Sequence, residues 1–245
     1  MTAEEKATLT RLLDLAGDYL RDGYAMVHEY AESTPPEAGI SSLPLAYQVD
    51  EDEDSGVTLK DIAKTIDNCK ACALAGTRTL SVPGEGVTDP LVMVIGEGPG
   101  ADEDAAGRPF VGRAGKLLDR MLESIGLFRN KNCYIANMVK CRPPGNRDPE
   151  PQEIAACYPY LEQQIALVRP GMILCAGRVA AQNLLKTDRG INALRGEFFE
   201  FKTRDAGIPV LCTYHPSAIL RDESLKRPAW EDLKLLKSKL ELYES

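Results

Sequence analysis

No apolar run in this 245-residue sequence approaches the ~20 residues that a membrane-spanning helix requires. The opening stretch, MTAEEKATLTRLLDLAGDYL, is acidic and amphipathic and lacks the basic, then apolar order of a secretory leader. Histidine is scarce, with His28 and His215 the only two, and tryptophan occurs once. No internal repeat is visible, which removes solenoids and propellers. Positive charge is also short, the net charge being −8. Against these absences stands an ordinary globular profile, 44% hydrophobic and 27% charged, long enough for one substantial domain with an appendage. A cytoplasmic enzyme is the expectation.

The negative charge is unevenly placed. Residues 1–60 hold 4 Lys/Arg against 13 Asp/Glu, which leaves 25 against 24 for residues 61–245. The acidity therefore belongs to the first quarter of the chain. The remainder is neutral, with basic clusters at Lys140, Arg142 and Arg147 and at Arg221, Lys226 and Arg227. A neutral domain still binds a phosphate backbone if its cations gather on one face, so composition leaves nucleic acid open as a partner.

Seven cysteines without a leader point to thiols or metal ligands rather than a disulfide framework. Cys133, Cys175 and Cys212 lie inside apolar runs and read as small buried hydrophobes. Cys69 and Cys72 form a CxxC, while Cys141 and Cys157 are separated by fifteen residues. A thiolate-only set with irregular spacing suits either tetrahedral zinc or an iron–sulfur cluster, and spacing does not choose between them.

Apolar residues at helical spacing predict a helical extension over residues 1–34, and a Pro-, Ser- and acid-rich linker follows over 35–56. The domain proper is expected over 57–245. Within it, the short apolar runs 91–96, 133–138, 172–177 and 209–214 read as strands. They alternate with helical patterns at 112–127, 150–168 and 178–185, and a last one at 228–243. Strands buried on both faces and separated by helices predict a three-layer α/β/α fold around a four-stranded, mostly parallel sheet. Ligands of such sheets sit beyond the carboxyl ends of the strands.

The loops at those ends carry the chemistry. The first begins Gly96-Glu97-Gly98-Pro99-Gly100-Ala101, which matches the dinucleotide fingerprint only superficially. Pro99 removes a backbone donor that a pyrophosphate would need, and no ribose-binding acid follows. Further along, Phe110 lies in a polar Gly-rich stretch and is expected to be exposed as a stacking platform for a base. In the second loop, Asn137 has an amide able to donate and accept at once, as the edge of a pyrimidine demands. In the last, His215 directly follows a strand and is pinned by Pro216, with Ser217 suited to cap a helix and to offer backbone N–H groups to an anion. His28 has no such context and reads as a solvated residue.

In order, GEGPGADED with GRPFVGRAG, NMVKCRPPGNR with the later CYPYL, and HPSAILR resemble the motifs of the family 4, iron–sulfur, thermostable-type uracil-DNA glycosylases. The resemblance covers about residues 66 to 242 and leaves the acidic extension unexplained. It implies a uracil-DNA glycosylase-like fold and a [4Fe–4S] cluster on Cys69, Cys72, Cys141 and Cys157. It implies a uracil pocket made by Glu97, Gly98, Phe110, Asn137 and His215, with Ser217, Ile219, Leu220 and Arg221 on the DNA. The partner is then uracil-containing DNA, flipped so that the base leaves the stack, and uracil is the product. Family 5 relatives have a non-acidic residue where Glu97 stands. The relative that crosslinks to DNA needs a further histidine in a basic loop, which this chain lacks.

On this resemblance Phe110 stacks on uracil, Asn137 reads its N3–H and O4 edge, and His215 faces O2, where charge gathers as the glycosidic bond breaks. Gly98 stands where the best-known uracil glycosylases have a water-activating aspartate, so water attack rests either on another group, Glu103 being one candidate, or on the electrophilicity of the sugar cation. Two other classes compete: an iron–sulfur electron-transfer module, which needs no pocket histidine, and a nucleotide-binding α/β enzyme with structural zinc. The protein is expected to act as a monomer, its extension available to a protein partner. A chain starting at Ser55 should therefore fold, keep its metal and excise uracil at the full-length rate. Loss of excision in such a folded, metal-loaded chain would refute the assignment of the extension as an appendage.

Overall fold

The computed structural model describes residues 56–203 and 207–244. The expected helical extension over 1–34, with His28, and the linker up to residue 55 lie outside them.

Thr58 caps helix α1 (Leu59–Asp67): its hydroxyl accepts from the Asp61 N–H, and the Asp61 carboxylate accepts from the Thr58 N–H. A short 3₁₀ turn at Ala73–Gly76 leads to β1 (Glu85–Gly86) and β2 (Val92–Gly96). Helices α2 (Ala101–Ala106) and α3 (Arg113–Glu123) follow, then β3 (Cys133–Asn137) and α4 (Pro151–Val168). Next come β4 (Met172–Ala176), α5 (Arg178–Leu185), α6 (Ile191–Leu194), β5 (Phe198–Lys202) and β6 (Gly207–Thr213). Helices α7 (Pro216–Arg221) and α8 (Lys226–Glu244) complete the described chain.

The sheet runs β1-β3-β2-β4-β6-β5. Its four inner strands, β3, β2, β4 and β6, are mutually parallel and are the four expected ones. Two antiparallel edge strands enlarge the sheet to six. Both escaped the sequence reading for physical reasons. β1 is two residues long, and β5 (FFEFK) is an edge strand of half-buried and exposed residues rather than a continuous apolar run.

Alternation along the strands divides the core. Met93, Ile95, Ile173, Cys175, Val210 and Cys212 pack toward α4 and α5. Val92, Val94, Met172, Leu174 and Leu211 pack toward α3 and α8. Cys133, Cys175 and Cys212 are wholly buried, as their apolar surroundings required. Register places Gly96 opposite Asn137 and Ala176 opposite Thr213, so the inner strands end level. The chain leaves β2 toward β3 on one side and returns to β4 on the other, which opens a crevice at the strands' carboxyl ends.

The segment after β2, read as one loop, contains α2, whose first turn carries Asp102, Glu103 and Asp104 at the positive end of the helix. Gly107 closes it at φ +67°. Helix α3 then packs directly beneath the Phe110 backbone: a Cβ on Gly115 would lie 1.8 Å from the Phe110 carbonyl oxygen. Only glycine permits that approach.

Candidate active site

A cavity of about 290 Å³ opens at the crevice, ample for a single pyrimidine ring. Its wall is drawn from the loops after all four inner strands, including Glu97, Gly98, Phe110, Asn137 and His215. The five residues expected to form a base pocket therefore share one cavity.

Asn137 ends β3 with its side chain buried, and its Oδ1 is the one buried side-chain oxygen or nitrogen among the described residues that has no hydrogen-bond partner. An unsatisfied acceptor in a closed interior costs about 1–3 kcal/mol, which a ligand donor would recover. Gly96 makes its placement feasible. A Cβ there would meet Asn137 Oδ1 at 2.4 Å and the Phe110 ring at 2.5 Å.

Phe110 corrects an expectation: it is 6% exposed, not an open platform. Its backbone is left-handed, φ +53°, an unusual state for a bulky residue. Arg129 holds it there by donating to the Pro109 and Phe110 carbonyls at 2.6 and 2.9 Å while pairing with Glu85 and Asp119. The ring faces the cavity, its centroid 5.6 Å from that of His215. It is a rigid cavity wall rather than a mobile flap.

The Glu103 carboxylate accepts from the backbone N–H groups of Gly100, Val111 and Gly112 at 3.1, 2.8 and 2.9 Å. Those bonds knit the loop on both sides of Phe110 and occupy the carboxylate with backbone donors, although Glu103 itself lines the cavity. Gly98 lines the cavity with no side chain, and a Cβ there would meet a Val139 methyl at 2.8 Å.

His215, not Ser217, caps α7. Its Nδ1 accepts from the Ser217 N–H at 3.1 Å, and the Ser217 hydroxyl lies 2.7 Å from the same nitrogen. The Ser217 N–H is therefore engaged and not available to an anion. Because a backbone N–H only donates, Nδ1 carries the lone pair, and the proton of the neutral ring sits on Nε2. Burial, reinforced by the nearby Arg221 charge, pushes the imidazole pKa down to about 4. The ring is thus a neutral donor at physiological pH. Gly177, at φ +95°, admits it: a Cβ there would lie 2.8 Å from His215 Cβ.

Of the four residues expected on DNA, Arg221 and Ser217 line the cavity mouth and Leu220 is 37% exposed. Ile219 is 2% exposed and packs inward, so its side chain contributes to the core and not to a DNA contact. Sequence reasoning missed Arg147, Asp148 and Arg178, which also line the cavity. They form two ion pairs, Arg147–Glu153 at 2.7 Å and Arg178–Asp148 at 2.6 Å. The cluster KCRPPGNRD contains Arg147 and Asp148, while nothing in the sequence marked Arg178.

Cys141 and Cys157 are buried, while Cys69 and Cys72 are partly exposed. The Cys141 thiol lies close enough to Cys69 and Cys72, and that of Cys157 to Cys141 and Cys72, to interact electrostatically. Three sulfurs receive N–H donors: Cys69 from Ala71 at 3.4 Å, Cys141 from Arg78 at 3.1 Å, and Cys157 from the Lys140 backbone at 3.2 Å. Among the described residues no three His, Cys, Asp or Glu side chains converge as they would around a single ion.

Residues 83–234 match the family model of the uracil DNA glycosylase superfamily. The chain is 43% identical over 181 residues to the type-4 uracil-DNA glycosylase of Archaeoglobus fulgidus, covering 72% of this chain and 90% of that one. It is 41% identical to the type-4 enzyme of Sulfurisphaera tokodaii, covering 74% and 84%. Similarity to the type-5 uracil-DNA glycosylase of Pyrobaculum aerophilum is lower, 31% over 56% of this chain.

The neutral His215 gives a pH expectation. Its proton is taken up only toward pH 4, whereas the ring in an unfolded chain protonates near 6.5. Excision should hold level as pH falls through 6.5 and decline only toward 4, while stability erodes across that same window because the unfolded chain binds the extra proton first. A single-turnover profile with an acid limb centred at 6.5 that vanishes in His215→Gln would contradict it.

Proposed function

The chain belongs to the uracil-DNA glycosylase superfamily, on its type-4 branch, and from that premise we propose that it excises uracil from DNA to leave an abasic site for base excision repair. The observation that carries this reading is the buried, unpartnered Oδ1 of Asn137 in the cavity that the Phe110 ring and the His215 imidazole also line. Uracil presents an N3–H donor flanked by carbonyl acceptors. Cytosine presents a lone pair at N3 and an amino group in place of O4. An acceptor locked in a closed site rejects the latter, since two lone pairs would face each other with no water to separate them.

The reaction follows from the same geometry. The base is turned out of the stack and enters the cavity against Phe110. As the glycosidic bond lengthens, electron density moves onto the uracil ring, and the Nε2–H of a neutral His215 donates to O2. A neutral donor stabilises the anion without surrendering its proton, and it needs no reorganisation at the moment of cleavage. Gly98 offers no base and Glu103 is occupied by three backbone donors, so attack by water rests on the electrophilicity of the sugar cation. Arg221 and the exposed Leu220 at the mouth hold the flanking DNA.

We further infer that Cys69, Cys72, Cys141 and Cys157 hold a [4Fe–4S] cluster. Four cysteines, three of whose sulfurs receive N–H donors, suit such a group, in keeping with the family the chain belongs to. When bound, it would cross-link the segment after α1 to the loop after β3 and to α4. Thiols kept as ligands also fit a reducing cytoplasm. The extension, with its surplus of carboxylates, would repel a phosphate backbone and is assigned to a protein partner.

Incubation with a uracil-containing oligonucleotide and alkaline cleavage of the product tests the activity. His215→Ala should slow single-turnover excision by roughly 10²–10³-fold with little change in affinity, by analogy with removal of an oxyanion donor. Asn137→Asp should lose uracil, because its second oxygen accepts where O4 needs a donor, and should gain cytosine only in the form whose carboxyl is protonated and donates to N3. An unchanged single-turnover rate in His215→Ala would remove the role assigned to it. Purified protein should contain four irons per chain, and replacing any of the four ligand cysteines by Ala should abolish iron binding and lower stability. Replacing Cys133, Cys175 or Cys212 should not, and stoichiometric zinc without iron would refute the cluster.

A further inference from the structure

Lys140 is a buried group for which the reaction has no use. Its side chain is 1% exposed and ranks among the largest fully buried ones. The ammonium donates to the Asn137 carbonyl at 2.8 Å and to Gln164 Oε1 at 2.6 Å. Gln164 is itself oriented by a bond from its Nε2 to the Pro83 carbonyl at 2.8 Å, which turns the amide oxygen toward the lysine. Both partners of the ammonium are neutral, and among the described residues no carboxylate pairs with it. Lysine is almost never fully buried without a counter-charge, because withdrawing the ion from water costs several kcal/mol. A leucine or methionine would fill the same volume without that penalty. Something must make the charge worthwhile.

Negative charge is available on one side only. Lys140 directly precedes Cys141, its backbone N–H donates to Cys157 Sγ, and its ammonium attracts the Cys157 sulfur. A cluster held by four thiolates brings net negative charge into this interior. Arg78 meets that charge from the outer side through Cys141, but it is partly exposed, so solvent and salt screen it. Lys140 meets it from within, where screening is weak. Resting on the iron–sulfur reading above, we propose that Lys140 is the internal counter-charge of the four-cysteine site, and that its grip on the Asn137 carbonyl ties that site to the strand end that reads the base.

The test uses the full-length, iron-loaded protein and reads the metal site rather than excision. Lys140→Gln should release iron to a chelator roughly 10–100-fold faster than wild type, the usual consequence of losing a group that supports metal ligands. Its cluster should also reduce at a more negative potential, because reduction adds an electron to a site that has lost a neighbouring cation. Gln164→Glu provides the second arm: it sets a carboxylate against the ammonium, leaves the lysine in place, and should shift both readouts in the same direction. If Lys140→Gln does not fold, Gln164→Glu decides. Wild-type iron release and wild-type potential in a folded Lys140→Gln or Gln164→Glu protein would overturn the proposal. Iron-free wild-type protein would overturn the cluster reading itself, and this proposal with it.

Discussion

The buried amide of Asn137 can stand against the Phe110 ring because Gly96, its register partner on β2, puts no Cβ between them. The rest of the pocket is arranged to keep that approach closed and in place. Parallel pairing holds the two strand ends level. Arg129 and Gly115 keep the Phe110 backbone in its left-handed state, and Glu103 laces the loop on either side of it. A single missing side chain thus sets the spacing on which base recognition depends, and two neighbouring elements are shaped to preserve it.

Electrostatics around the pocket are divided between two basic groups, a partly buried histidine and a buried lysine. His215 is kept neutral by burial and by the Arg221 charge, and its tautomer is set by a backbone donor, so it enters the reaction as a dipole. Lys140, on the other side of Asn137, is held by two oxygens and faces the cysteine set. In the reading proposed above, one group serves charge that appears during bond cleavage, and the other the permanent charge of a cluster. Asn137 lies between them, its side chain turned to the cavity and its carbonyl to the lysine.

At the rim, cations are restrained rather than free. Arg147 and Arg178 are tied to Glu153 and Asp148, and Arg221 leans on the Ser217 hydroxyl. Such pairing holds guanidinium groups near the mouth without a strongly positive field, in keeping with the near-neutral charge of residues 61–245. A face built this way positions a backbone by contact more than by long-range attraction.

Much of this was legible in the sequence because it rests on local pattern. Four apolar runs bounded by Gly- and Pro-rich loops determined the four inner strands, and the helical periodicities determined α3, α4, α5 and α8. Motif residues at strand ends, Asn137 and His215 above all, marked where the cavity lies. What sequence could not show is what depends on approach across the fold. Phe110 looked exposed because its neighbours in the chain are polar, yet Arg129 and Gly115 turn it inward from elsewhere. Glu103 looked free to act as a base until three backbone donors converged on it. Ile219 and Leu220 are adjacent and similarly apolar, and only the docking of a six-residue helix decides that one is core and the other surface. Lys140 reads as one more basic residue in KCRPP, and only burial against Gln164, twenty-four positions along the chain, makes its charge exceptional. Sequence periodicity reports which face of an element is apolar, and side-chain chemistry reports what a residue is able to do. Which groups meet, and which are left buried without a partner, is decided by packing between segments distant in the chain.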